Sequence, residues 1–159
     1  MTLNLLGVQR FSFSARPMPV PGDLRINWRL AIILLMLENS RSKRASLAKL
    51  HVLNEAVRST SARITLEKIL DEKAAPLNWQ LRVEPAFGRA INFVVGENLV
   101  QWTRTAQRAG LQLTKKGAAS AEALVEAEDT LIEEKHFLST IGKRVSEDFV
   151  NKILYVGRG

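Results

Sequence analysis

Cysteine is absent from the chain, which excludes disulfides and thiolate metal sites and makes a cytoplasmic location the expectation. Histidine is nearly absent: His51 and His136 stand apart on separate predicted helices, where a lone histidine is more often structural or solvated than catalytic. No His, Asp or Glu residues share metal-ligand spacing, and there is neither a Gly-rich phosphate loop nor a nucleophile elbow. Asp71-Glu72 and Glu133-Glu134 are sequence neighbours, so they leave a helix in different directions and form no acid–base pair. The expectation is a protein that is not an enzyme and uses no cofactor or metal. Long apolar runs are lacking too: the longest, Leu30 to Leu37, has eight residues, against the roughly 20 that a bilayer-spanning helix needs. Leu3, Leu5 and Leu6 have no basic residue ahead of them, so a secretory signal is not expected.

What the chain does have is enough apolar material for an ordered core. A hydrophobic content of 46% over 159 residues fits one domain with an appendage. The net charge of +7 is uneven. Residues 1–117 hold 18 Lys or Arg against 8 Asp or Glu, whereas residues 118–159 hold 5 against 8. The first part is therefore the one equipped to bind nucleic acid through phosphates, or to meet an acidic partner protein.

The basic part is organised around Pro85 to Gly117. Phe87, Ala90, Ile91, Val94 and Val95 recur at three- and four-residue spacing, which loads one face of a helix that Gly96 stops. The period then changes. Leu99, Val100 and Trp102, followed by Leu111 and Leu113, sit in short runs either side of the polar stretch Arg104 to Gly110, which predicts a β-hairpin. Leu113-Thr114-Lys115-Lys116-Gly117 closes the second strand and resembles the strand exit of a winged helix-turn-helix domain. The fold class is thus mainly α with a small β-wing, an α+β winged helix-turn-helix with an extended N-terminal arm and C-terminal helices. The expected divisions are an arm over 1–22, a winged-helix domain over 23–117 and a helical extension over 118–159.

The arm carries the alternation Phe11-Ser12-Phe13-Ser14, which suits a short strand, and then Arg16-Pro17-Met18-Pro19-Val20-Pro21-Gly22, whose three prolines forbid a helix. Such an arm serves either as a linker along the domain surface or as a docking segment through Phe11, Phe13, Pro17 and Pro19. Asp23 is the expected cap of a helix over about Leu24 to Glu38, with Ile26, Leu30, Ile33, Leu34 and Leu37 as its main stripe. Trp28, Ile32 and Leu35 widen that stripe beyond one face, so the second side meets either another element of this chain, a partner, or a second copy. A turn with Arg41, Lys43 and Arg44 leads to Ser46, the cap of a helix over Leu47 to Ser59. A third helix is expected over about Ala62 to Lys73, ended by Ala74-Ala75-Pro76, and Leu81 with Val83 fits a short strand. After Gly117 one long helix is expected from Ala118 to about Phe137, apolar at Ala121, Leu124, Val125, Leu131 and Ile132 and acidic on its outer side. Gly142 breaks the pattern, and Ser146 precedes a short terminal helix.

In DNA-reading winged helices the helix before the wing enters the major groove with Arg, Lys, Asn or Gln exposed. Here it offers Arg89, Asn92 and Glu97, a thin set with one positive charge, which argues against reading of base sequence. The remaining cations lie at Arg41, Lys43 and Arg44 in the turn, Arg104 and Arg108 in the wing, and Lys115 and Lys116 at its exit. If they converge they make a sequence-independent phosphate patch; if not, each is an ordinary solvated charge.

The Pro-rich arm, the long apolar helix, the leucine-rich helix Leu47 to Ser59 and the wing ending Leu113-Thr114-Lys115-Lys116-Gly117 together resemble, over about residues 11–135, the small middle components of bacterial three-component defence systems of the Lamassu type. The resemblance implies a non-catalytic subunit that binds an SMC-like ABC ATPase, beside an effector nuclease subunit, in anti-phage and anti-plasmid defence. DNA contact would be sequence-independent, and a homodimer is compatible with it. A different class of reading, a homodimeric winged-helix transcriptional regulator, fits the same fold.

Overall fold

The computed structural model describes residues 2–4, 10–12 and 22–154, with side chains described over 26–154. Two short strands, β1 (Thr2–Asn4) and β2 (Arg10–Ser12), pair antiparallel, Leu3 opposite Phe11. The expected docking residues Phe13, Pro17 and Pro19, and the side chains of Phe11 and Asp23, lie outside the described residues.

Helix α1 (Gly22–Glu38) is the spine of the molecule. Every residue from Leu30 to Leu37 is buried, as an all-apolar helix surface requires. It contacts α2 (Leu47–Arg58), α4 (Pro85–Gly96), α5 (Lys115–Glu126) and α6 (Ile132–Ile141). The acidic segment from residue 118 to residue 154 and the basic segment before it therefore share one hydrophobic core, to which Leu50, Phe87, Leu124 and Leu138 all contribute.

Ser46 caps α2 by accepting from the Lys49 N–H at 3.1 Å. Ser59 ends α2 and at once caps α3 (Thr60–Leu70), accepting from the Ala62 N–H at 3.1 Å, so a single residue turns the chain between two helices. The segment between α3 and α4 is not a strand: Leu81 and Val83 sit in irregular backbone and are exposed, Val83 at 73%. The strand that completes the sheet is instead β3 (Arg44–Ser46), immediately before α2. It pairs antiparallel with β5 (Arg108–Leu113), which also pairs with β4 (Val100–Thr105), giving the order β3-β5-β4. Between β4 and β5 the turn is just Ala106 and Gln107, both at positive φ (52° and 63°), as a two-residue type I′ turn demands.

The long helix expected after Gly117 is two. Helix α5 ends at Glu126, Leu131 takes a left-handed conformation (φ 52°, ψ 43°), and α6 starts at Ile132. Lys135 Nζ reaches back to the carbonyls of Leu124 and Ala127, satisfying acceptors that the helix end leaves open. Because the helix breaks, Val125 and Ile132 are exposed and do not join Leu124 and Leu131 on one buried side. Helix α7 (Glu147–Leu154) follows Ser146, whose Oγ accepts from the Phe149 N–H at 3.1 Å.

The irregular segment before α4 is held by charge. Glu84 is nearly buried and forms ion pairs with Arg29 of α1 and Arg58 of α2, tying three elements through one carboxylate. Glu84→Gln is expected to lower stability by about 1–3 kcal/mol, because two guanidinium groups lose their shared anion. Urea unfolding measures this, and an unchanged midpoint would show that the pairs contribute nothing.

Candidate nucleic-acid interface

Helix α4 precedes the hairpin and would be the reading helix of a winged-helix domain. It turns Phe87, Ala90, Ile91 and Val94 into the core and exposes Pro85, Arg89, Asn92 and Gly96. Arg89 is the one cation on that outer side.

The seven expected DNA-binding cations divide into three groups. Arg41 and Arg44 are exposed beside the start of β3, and Arg104 is exposed on β4, its Nη2 donating to the Gln107 carbonyl at 3.0 Å across the turn. Lys43 stays near its own helix end, bonding to the Glu38 carboxylate at 2.7 Å and the Glu38 carbonyl at 3.0 Å, which neutralises it. Arg108 corrects the expectation of an outward wing cation: it is half-buried, and its Nη2 donates to Glu147 Oε1 at 2.9 Å. Lys115 and Lys116 are exposed at the opposite end of the hairpin from its turn, with Lys116 donating to the Glu97 carbonyl at 3.0 Å. Five residue steps along β5 separate Arg108 from Leu113, roughly 17 Å at the usual strand rise, so these two lysines lie far from Arg104 at the hairpin tip, while Arg44, opposite Gln112, is in register with the Leu113 end.

Convergence is therefore partial, and it includes residues that the sequence pattern did not single out. Arg41 and Arg44 line a cleft of about 540 Å³ together with Lys49, Thr105, Lys143 and Glu147. Arg41 belongs to the turn, Arg44 to the start of β3, Lys49 to the first turn of α2, Thr105 to the hairpin tip, and the last two to the approach and start of α7. Lys143 lies 102 residues beyond Arg41, so only folding brings them together. Lys49 is only 3% exposed, and burial pushes its amine from 10.5 down to about 8, against the opposing pull of the Glu147 carboxylate. His51, two residues further along α2, is lowered by burial and stands edge-on to the Phe87 ring at 5.2 Å, which gives it a packing role. The half-buried Lys135 ammonium is also lowered by burial, with Asp129 opposing.

The partner surface expected on α1 is not available. Ile32 and Leu35 are fully buried, and Trp28 is half-buried with its Nε1 donating to Glu134 at 3.1 Å. The helix is apolar on both sides because it lies between the sheet-bearing half and α5 with α6 of the same chain. Exposed apolar side chains occur elsewhere, at Ile64 on α3 and at Leu77, Leu81 and Val83 before α4. Among the described residues no group of His, Asp and Glu is placed to hold a metal ion, and no helix is long and apolar enough to cross a membrane. No family model, curated protein or solved structure matches the chain.

Proposed function

We propose that the chain is a winged-helix accessory subunit, without catalytic activity of its own, that contacts DNA through phosphates and works within an SMC-like ATPase complex of bacterial defence. The order helix, strand, helices and hairpin, with the last strand between the other two, supports the winged-helix reading; α3 is then an added helix between the second and third. The observation that carries the mode of binding is the contrast between α4 and its surroundings. The outer side of α4 has a single cation, so bidentate base contacts are scarce, while Arg41, Arg44 and Arg104 stand clear of it beside the sheet. Phosphate contacts from such a set fix a duplex without reading it. Leu77 and Val83, exposed on the segment before α4, are side chains that an assembled complex would cover.

The DNA part is tested by fluorescence anisotropy on two unrelated duplexes over a salt series. Equal affinities are expected, with Arg44→Gln and Arg104→Gln each reducing the slope of log K against log salt by about 0.9. The subunit part is tested by co-expression with the neighbouring reading frames and pull-down, with a large coiled-coil ATPase recovered at fixed stoichiometry as the expected result. A lone dimer that binds one operator tightly, and loses that preference on Asn92→Ala, would replace this reading by that of a transcriptional regulator.

A further inference from the structure

The cleft beside β3 gathers more cationic and neutral hydrogen-bond donors than the two carboxylates that line it, Glu147 and Asp148, can match. Lys49 lines it while only 3% exposed, and the Glu147 carboxylate, whose oxygens are bonded elsewhere, offsets the burial of its ammonium only in part. A desolvated ammonium without a partner is costly and is tolerated where an anion can join it. Thr105 lines the cleft too, and its Oγ1 is buried without a partner. Directly across the turn from Thr105 stands Arg108, whose Nε and Nη1 are also buried and unpartnered, although its Nη2 is engaged.

The two carboxylates nearby do not fill this need. Glu147 spends one oxygen on Arg108 at 2.9 Å and the other on the Ser46 N–H at 3.0 Å, so it is an internal brace. Asp148 is exposed at the rim, where water and salt screen it. The helix ends are closed as well, since Ser46 and Ser146 cap α2 and α7. Arg41, Arg44 and Lys143 add an exposed cationic rim around the buried amine. An anion able to use several spaced donors at once needs several acceptor oxygens, and a tetrahedral oxyanion supplies them.

We propose that this cleft is a phosphate-binding site in which Lys49 is the buried cation, Thr105 a neutral donor, and Arg41, Arg44 and Lys143 the outer charges. The seat stands on the cleft's own donors; only the source of its phosphate, a DNA backbone or a free phosphorylated compound, rests on the function proposed above.

The test is calorimetric titration of the full chain with pyrophosphate near neutral pH in a phosphate-free buffer. Saturable binding is expected, weakened at least about tenfold in Lys49→Met and in Lys143→Gln, each a loss of one charge-assisted contact, and unchanged in Lys68→Gln on the exposed side of α3. Lys143 is exposed, so its variant tests the site even if a change at the buried position alters folding. No binding of pyrophosphate at millimolar concentration overturns the site, as does equal binding by the wild type and both cleft variants. A duplex of random sequence that displaces pyrophosphate supports a phosphodiester as the natural source. A duplex that neither binds nor displaces it, beside intact pyrophosphate binding, upholds the site with a free phosphorylated ligand and refutes DNA contact alone.

Discussion

Gly117→Ala is expected to lower stability by about 3–5 kcal/mol and the melting temperature by about 6–20 °C. A Cβ at this position would lie 1.8 Å from the Leu99 carbonyl oxygen and 2.8 Å from its carbon, with Leu113 Cδ2 at 3.3 Å. The obstacle is backbone, which cannot swing aside as a side chain would. The same few residues hold the start of α5: Thr114 Oγ1 accepts from the Gly117 N–H at 3.0 Å and donates to the Asn98 carbonyl at 2.6 Å, and the Thr114 N–H donates to Leu99 at 3.1 Å. Moving α5 outward to admit a methyl group breaks this joint and loosens its packing on α1. Thermal and urea unfolding of the variant measure the effect, and a loss under about 1 kcal/mol would mean that the joint yields easily.

Lys49→Met is expected to act in the opposite direction, raising stability near pH 7 by on the order of 3 kcal/mol. The fall of the amine from 10.5 to about 8 is the net penalty on its charged form, burial less the opposing pull of Glu147. Between about 8 and 10.5 the unfolded chain keeps a proton that the folded one has released. Wild-type stability from this group therefore rises with pH across that window, and below it the penalty is constant. Methionine fills the same volume without the charge, so the gap between variant and wild type should narrow as pH climbs from about 8 towards 10.5. Urea titrations of both proteins near pH 7 and near pH 10, in a buffer free of phosphate, give the result. A variant less stable than wild type at neutral pH would mean that the amine is stabilised within the chain itself, and the case for an anion seat would fall with it.

The two substitutions touch features of unequal legibility. Gly117 sits in the Leu113 to Gly117 run that marks the strand exit, and the helix after it begins at Lys115, close to where the pattern put it. Lys49 gives no signal at all. It is a lysine in the first turn of an amphipathic helix, a place where solvent exposure is the ordinary outcome, and it is buried because the hairpin tip and α7 close over it.

The misplaced strand has a similar cause. Arg44-Ala45-Ser46 has none of the β-branched or aromatic residues that favour strands, and it is one because β5 offers it an edge. Gly110 makes the approach possible, since a Cβ there would meet the Ala45 carbonyl oxygen at 2.5 Å. The Leu81 and Val83 alternation suits a strand better by propensity but pairs with neither edge of the sheet. In the same way Ala106-Gln107 lacks the Asn-Gly signature of its turn type, so the sequence marked a seven-residue turn where the register leaves two.

Read alone, the sequence determined the elements whose own residues carry the driving force: the buried α1 through its unbroken apolar run, α4 through its periodic face, α2 and α7 through their serine caps, and the hairpin through its change of period. It also determined that few base-reading groups stand on α4. Tertiary structure decided what neighbours supply. It split the long acidic helix at Leu131, sealed Ile32 and Leu35 inside the chain's own core, turned Arg108 inward onto Glu147, and gathered Lys49, Thr105 and Lys143 around one cleft. Local periodicity reports which side of an element is apolar, whereas burial of a charge or the meeting of residues a hundred positions apart depends on which surfaces pack together, and no short window of sequence contains that.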